Sequence, residues 1–219
     1  ETARWTVHYE VDGVRAQVTC RFVFFCSGYY DYARGHAPEW PGMGVFSGRI
    51  VHPQAWPDDL SVTGRRVVVI GSGATAVTLV PALVAQGAAH VTMLQRSPTF
   101  IVAMPARDRV GATLSRLLPT GVADTLNRWK SIAYGIGSHA LARRRPGLVR
   151  RQIAKQQRAA LGEGYDVAKH LTPRYNPWDQ RLCLVPDGDL FTVLRDGRAT
   201  IVTDTIERVT GEGIALTSG

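Results

Sequence analysis

The segment Arg65-Arg66-Val67-Val68-Val69-Ile70-Gly71-Ser72-Gly73-Ala74-Thr75-Ala76 constrains this chain more than any other stretch. Four consecutive branched aliphatics, Val67–Ile70, specify a strand covered on both faces, as in a parallel sheet. They run directly into Gly71-Ser72-Gly73-Ala74-Thr75-Ala76, which fits the pattern G-x-G-x-x-G/A. The first glycine permits a tight turn, the second lets backbone amides approach a pyrophosphate, and the small Ala76 allows a helix to pack closely on the strand. Ala74 to Gln86 supplies that helix, whose N-terminal amides and dipole would hold the diphosphate. Gly87 ends it, and His90–Leu94 is the next strand. This context outweighs the alternative of a glycine turn in an ordinary βα unit.

The end of the second strand chooses the cofactor. A carboxylate about 20 residues past the glycines would grip the ribose 2′-hydroxyl of NAD. Here the sequence is Gln95-Arg96-Ser97-Pro98. Arg96 can pair with a 2′-phosphate and Ser97 can donate a hydrogen bond to it, so NADPH is favoured over NADH. The alternative for Arg96 is a surface arginine without a ligand. Candidate NADPH-binding residues are therefore Gly71, Ser72, Gly73, Ala74, Thr75, Ala76, Gln95, Arg96 and Ser97.

Composition narrows the rest. The 219 residues are 45% apolar and 20% charged, which excludes disorder and a collagen-like repeat. The longest apolar runs, such as Leu79–Ala85, are too short to cross a bilayer, and no basic leader opens the chain. Cys20, Cys26 and Cys183 form no CxxC pair and leave one unpaired, which suits a reducing, cytoplasmic setting, and no metal site is expected. The net charge of +8 is uneven: between Arg107 and Arg158 stand twelve Lys and Arg against Asp108 and Asp124. A nucleic-acid or anionic-membrane patch is the sharper explanation. A solvated helical face, or a surface that meets an acidic neighbouring domain, is preferred, because no base-reading motif or aromatic interleaving accompanies the charge.

Five zones follow. Residues 1–28 hold a hairpin around Asp12-Gly13 and a buried-looking strand, Phe22–Cys26, that breaks at Ser27-Gly28. Residues 29–63 are an irregular connection rich in Pro and Gly. Residues 64–105 carry the strand–turn–helix–strand unit. Residues 106–175 are Arg-rich with helical spacing, interrupted by Pro119, Pro146 and Gly162/Gly164, and residues 176–219 return to short strands with a hairpin around Gly211-Glu212-Gly213. The opening at Glu1 without methionine and the abrupt close suggest an internal piece of a longer protein.

Phe46-Ser47-Gly48-Arg49-Ile50-Val51-His52-Pro53-Gln54-Ala55-Trp56-Pro57 reads FxGxxxHxxxWP. By itself it says only that Gly48 frees the backbone and that His52 and Trp56 lie four apart. It resembles the fingerprint of the Baeyer–Villiger monooxygenases, the class B flavoproteins, at every fixed position and just upstream of the glycines. The stretches Cys26-Ser27-Gly28-Tyr29-Tyr30, Ile70–Pro81, His90–Thr99, Gly164-Tyr165-Asp166-Val167 and Tyr175–Leu190 are similar to the ethionamide-activating, FAD-containing branch found in mycobacteria and relatives.

The resemblance implies an α/β fold: a Rossmann-like NADPH-binding domain, halves 64–105 and 176–219, split by the helical insertion 106–175. Residues 1–28 would be the last strands of a first FAD-domain segment, with Ser27 and Gly28 near the flavin nucleotide, and 29–63 the linker bearing the fingerprint. It implies NADPH and FAD as cofactors and a C4a-peroxyflavin that inserts oxygen from O2 into a ketone, or oxidises a sulfide or thioamide. The remaining FAD-domain segments of the same chain would be partners; nucleic acid and integral membrane segments would not, and a homo-oligomer is left open. Arg181 matches the catalytic arginine, held against the alternative of an ion pair with Asp179. Gln180 stands where many relatives carry a lysine that assists with the 2′-phosphate, so Arg96 would bear more of the NADPH preference. Gly48, His52 and Trp56 are assigned a hinge or gating role, with a packed loop histidine as the alternative for His52. Cys183 is assigned to the core. Two other functions compete: an NADPH-dependent flavoprotein reductase without oxygen insertion, and a basic binding module with a vestigial dinucleotide fold.

Overall fold

Asp12 and Gly13 both adopt positive φ, 51° and 78°, and this left-handed pair matches the twist of a two-residue hairpin. It joins β1 (Trp5–Val11) to β2 (Val14–Cys20), antiparallel in the register Trp5↔Cys20 to Val11↔Val14. The computed structural model describes residues 3–28, 31 and 33–219, in two compact units. The first comprises residues 1–37 and 52–55. Residues 22–26 of this unit do not form the expected buried strand. They pair with no described strand, and Phe22, Phe24 and Phe25 stand 76–79% exposed. An apolar run becomes a core strand only when a neighbour takes up its backbone hydrogen bonds. Glu1, Tyr29 and Tyr30 lie outside the described residues.

The second unit comprises residues 38–51 and 56–219. Its elements are β3 (Arg66–Ile70), α1 (Ala74–Ala85), β4 (His90–Gln95), β5 (Phe100–Met104), α2 (Arg109–Leu117), α3 (Thr120–Arg144), α4 (Pro146–Leu161), α5 (Val167–Leu171), β6 (Leu182–Pro186), α6 (Asp189–Arg195), β7 (Ala199–Thr203), β8 (Ile206–Val209) and β9 (Ile214–Leu216). The protein is thus a mixed α/β structure with parallel sheets. One sheet has the order β3-β4-β7, all parallel; β5 and β6 form a second parallel pair, although α2 to α5 separate them in sequence. β8 and β9 close an antiparallel hairpin.

The helix boundaries follow local chemistry. Asp108 caps α2 by accepting from the Gly111 amide at 2.9 Å, Pro119 precedes α3, Pro146 opens α4, and Gly162 ends it at a φ of 89°. α1 packs Val77, Val80, Leu83 and Val84 against Val91 and Met93 of the central strand and against Leu190 and Phe191 of α6, making the apolar core. β3 departs from expectation: Val67 and Val69 turn towards that core, whereas Val68 and Ile70 remain 46% and 47% exposed. Among the described residues it is an edge strand with a layer on one face. Two glutamines latch α4 to β5. Gln157, 1% exposed, donates to the Ile101 carbonyl at 2.9 Å, and Gln156 both accepts from and donates to the backbone of Ala103.

Candidate nucleotide-binding site

Gly71 follows β3 at a φ of 135°, a conformation that side-chain-bearing residues rarely adopt, and its amide donates to the Leu94 carbonyl at 2.8 Å. The turn is therefore tied to the end of β4. A second tie runs from Ser72 Oγ to the carbonyl of Ser97 at 3.1 Å. Gly73 then starts α1 without any side-chain cap, and no acidic residue occupies the first turn. Ala74 and Thr75 are exposed there, while Ala76 is buried against the core. A helix N-terminus left in this condition presents unsatisfied amides and the positive end of its dipole.

Two arginines meet this end of the sheet. Arg96 is exposed at the close of β4 and has no ion-pair or hydrogen-bond partner among the described residues. Arg181, from the residue before β6, lies beside the second glycine: a Cβ built on Gly73 would find Arg181 Nη1 at 3.9 Å as its neighbour. The alternative partner for Arg181 is taken, since Asp179 pairs with Arg143 of α3 at 2.5 Å. Arg181 has no side-chain partner among the described residues, and its backbone is fixed instead. Tyr175 OH donates to the Arg181 carbonyl at 2.8 Å and, having one proton, accepts from Thr99 Oγ1 at 2.7 Å. Thr99 is fully buried just after Ser97. The Tyr175 ring meets Phe100 edge-on at 5.4 Å, and Arg150 of α4 clamps the carbonyls of Tyr175 and Pro173 at 2.9 and 3.0 Å.

Gln95 goes the other way. It is 1% exposed, and the group facing the His170 carbonyl at 2.7 Å must be its amide nitrogen, because a carbonyl only accepts. That nitrogen also donates to Thr203 Oγ1 at 2.9 Å, and Thr203 in turn meets His170 Nδ1 at 2.8 Å. Gln95 Oε1 and the nearby cluster's Tyr165 OH are buried without hydrogen-bond partners among the described residues. Burial pushes the Tyr165 hydroxyl up to about 12 and, together with Lys169, pushes the His170 imidazole below its ordinary value against the pull of Asp166. Gln95 thus supports the strand end beneath Arg96 from inside.

The fingerprint residues have local explanations. The Phe46 ring covers Gly48 so closely that a Cβ there would come within 2.7 Å of it. Ser47 binds the Gly211 carbonyl through both its amide and its hydroxyl, and Arg49 forms a two-pronged pair with Asp59 at 3.0 and 3.2 Å. Trp56 is 39% exposed. In the first unit, the His52 imidazole fills the place a side chain at Gly35 would take, and its Nδ1 accepts from the Gln54 amide at 3.2 Å. Ser27 and Gly28 are exposed, with Gly28 at a φ of 68°. Cys183 is buried in the core, which raises its thiol pKa.

Sequence reasoning did not find Thr99, Tyr175, Arg150, His170 or Thr203. None carries a periodic or spacing signal, because each acts through a residue distant in sequence. Among the described residues no cluster of His, Cys, Asp or Glu could hold a metal, and no helix is long and apolar enough to cross a membrane.

A parallel βαβ unit with a positive-φ glycine turn, an uncapped helix and two arginines without side-chain partners among the described residues defines an α/β protein with a candidate phosphate-binding turn. Residues 1–127 match the Flavin-binding monooxygenase-like family, and the chain belongs to it. It is 53% identical over 216 residues to the FAD-containing monooxygenase EthA of Mycolicibacterium smegmatis and 52% identical to that of Mycobacterium tuberculosis. Each match covers 99% of this chain and 44% of the relative, so the chain spans less than half the length of the curated relatives it matches. Among solved structures, an oxidised steroid monooxygenase bound to NADP shares the fold with a TM-score of 0.68 at 21% identity, over 99% of this chain and 47% of that one.

Proposed function

We propose that this chain is the NADPH-binding part, with a piece of the FAD-binding part, of an NADPH- and O2-dependent FAD monooxygenase that oxygenates ketones or the sulfur of sulfides and thioamides. The observation that carries this is the convergence of Arg181 on Gly73 while its guanidinium remains unpaired. The glycine turn, halves 64–105 and 176–219, and the helices between them make one NADPH domain in this proposal. Residues 1–28 belong to the FAD domain, with Ser27 and Gly28 along the flavin nucleotide.

The residues present fit the nucleotide. The uncapped amides of α1 suit a diphosphate, and Gly71 and Gly73 leave the backbone open to it. Arg96 and Ser97 suit a 2′-phosphate, for which a carboxylate would be repulsive. When bound, NADPH supplies hydride and FAD supplies the oxygen chemistry. Arg181 contributes a guanidinium that stays charged at any working pH and needs no reorganisation when negative charge develops nearby. Tyr175, Thr99 and Arg150 hold the Arg181 backbone in place. Gly48, His52 and Trp56 serve as the hinge of the linker rather than as proton carriers.

The test is coupled turnover in the longer protein containing this chain. NADPH consumption should match oxygenated product formed from a ketone or thioamide. Dye reduction with no oxygen insertion would make the protein a reductase instead.

A further inference from the structure

We propose that the elbow between α3 and α4 is a second anion site, which takes a small ligand bearing two phosphate groups, a diphosphate or a bisphosphate. A cavity of about 630 Å3 opens there, within the range of small-molecule pockets. Arg144, Arg145, Arg151 and Lys155 line it beside Pro146 and Leu148. Among the described residues no carboxylate lines it, and none occurs in sequence between Asp124 and Glu163.

The cations of this stretch divide by use. Arg143 is spent on Asp179, and Arg150 on the carbonyls of Tyr175 and Pro173 and the face of Phe100. The side chains of the four that line the cavity make no ion pair or hydrogen bond with any described residue. Helix stability does not explain them all. The C-terminal end of α3 favours Arg144, but Arg145 stands at the N-cap of α4, where the dipole opposes positive charge. Like charges brought around one concavity repel each other, and a bound polyanion converts that repulsion into attraction.

Charge matching selects the ligand. A single phosphate monoester brings about two negative charges at neutral pH and would leave the cluster half compensated. Two phosphate groups balance it. The volume leaves room for an organic part against Pro146 and Leu148. A second cavity, lined by Arg143, Pro146, Asn176, Pro177 and Asp179, adjoins the first through Pro146 and reaches the loop that precedes Arg181. An anion at the elbow therefore sits one ion pair, Arg143–Asp179, away from that loop.

The probe is inorganic pyrophosphate, followed by calorimetric titration of the protein against orthophosphate. Pyrophosphate should bind at least about tenfold more tightly than orthophosphate, as expected when charge-assisted contacts double. The paired substitution Arg151→Gln with Lys155→Gln should weaken it by about tenfold or more, as should Arg144→Gln with Arg145→Gln. Arg151→Lys should retain most of the affinity, and Arg96→Ala should leave it within about twofold. Unchanged binding in both glutamine pairs would overturn the proposal, as would its loss in Arg96→Ala, because pyrophosphate would then be occupying the glycine turn. An oligonucleotide that displaces pyrophosphate at equal charge concentration would also overturn it in favour of a nucleic-acid surface. NADPH affinity, measured on the same variants, reports on the glycine turn separately.

Discussion

The glycine turn and the α3–α4 elbow both gather positive charge, by opposite routes. At the turn, Arg96 and Arg181 come from positions 85 residues apart and are delivered by the ends of β4 and the approach to β6. Their backbones are pinned by Ser72–Ser97 and by the Thr99–Tyr175–Arg181 chain. At the elbow the cations are nearly contiguous in sequence, and a helix–helix corner suffices to bunch them. Convergence from distant segments requires a fold that holds each piece. A run of charge requires only composition, so its presence is the weaker indication of purpose until individual partners are counted.

The largest expected effect tests the turn. Arg181→Ala in the longer protein should lower oxygenated product formation by about a hundredfold or more, the scale on which a preorganised electrostatic donor acts. Flavin reduction by NADPH should fall by much less. Equal losses in both, measured by stopped-flow absorbance and product yield, would place Arg181 on the nucleotide rather than on the oxygen chemistry. Arg96→Ala comes next. Losing charge-assisted hydrogen bonds to a 2′-phosphate should weaken NADPH by about 10- to 100-fold and leave NADH nearly unchanged. Parallel losses for the two coenzymes would break the distinction drawn between turn and elbow.

A smaller effect separates structural from ligand-binding polar groups around the helices. Gln157→Leu removes the donor to the Ile101 carbonyl and leaves it buried and unsatisfied, at a cost of about 1–3 kcal/mol in a denaturant titration. Arg151→Gln, a few residues away and exposed, should change stability by no more than about 0.5 kcal/mol. Comparable losses for the two would mean that the elbow cations are part of the scaffold.

Those contrasts mirror what could be read from the chain. The βαβ unit was legible because glycine conformations, helix stops and aliphatic runs act over a few residues: Gly71, Gly87 and the prolines at 119 and 146 sit where local chemistry requires them. The burial of Phe22–Phe25 and of both β3 faces was misjudged, because side-chain pattern does not reveal whether a covering layer exists. Arg181 could be singled out by resemblance, but its freedom from Asp179 depended on Arg143, 36 residues earlier. Gln157 did leave a trace, since it falls in the apolar series Ile153, Gln157, Leu161, spaced by four. A lone amide on a core stripe marks a buried hydrogen bond that periodicity alone would have assigned to packing.

The smallest expected effect concerns the support beneath Arg96. Gln95 donates to Thr203 Oγ1, so the single Thr203 proton is available to His170 Nδ1, which then accepts as a neutral imidazole. Burial, and Lys169 beside it, keep the folded-state pKa of His170 below that of the unfolded chain. The unfolded chain therefore takes up the proton first, and stability should decline as pH falls below about 6.5, the ordinary histidine value. Protonation would also turn Nδ1 from acceptor to donor, so that the Thr203 hydroxyl would have to accept from both Gln95 and His170 and turn its own proton elsewhere. His170→Asn places an amide oxygen near the position of Nδ1 and does not titrate. Its denaturation midpoint should vary less between about pH 7 and pH 5 than that of the parent. Identical pH slopes in the two proteins would show that the strand end carrying Arg96 is held without regard to the charge on His170.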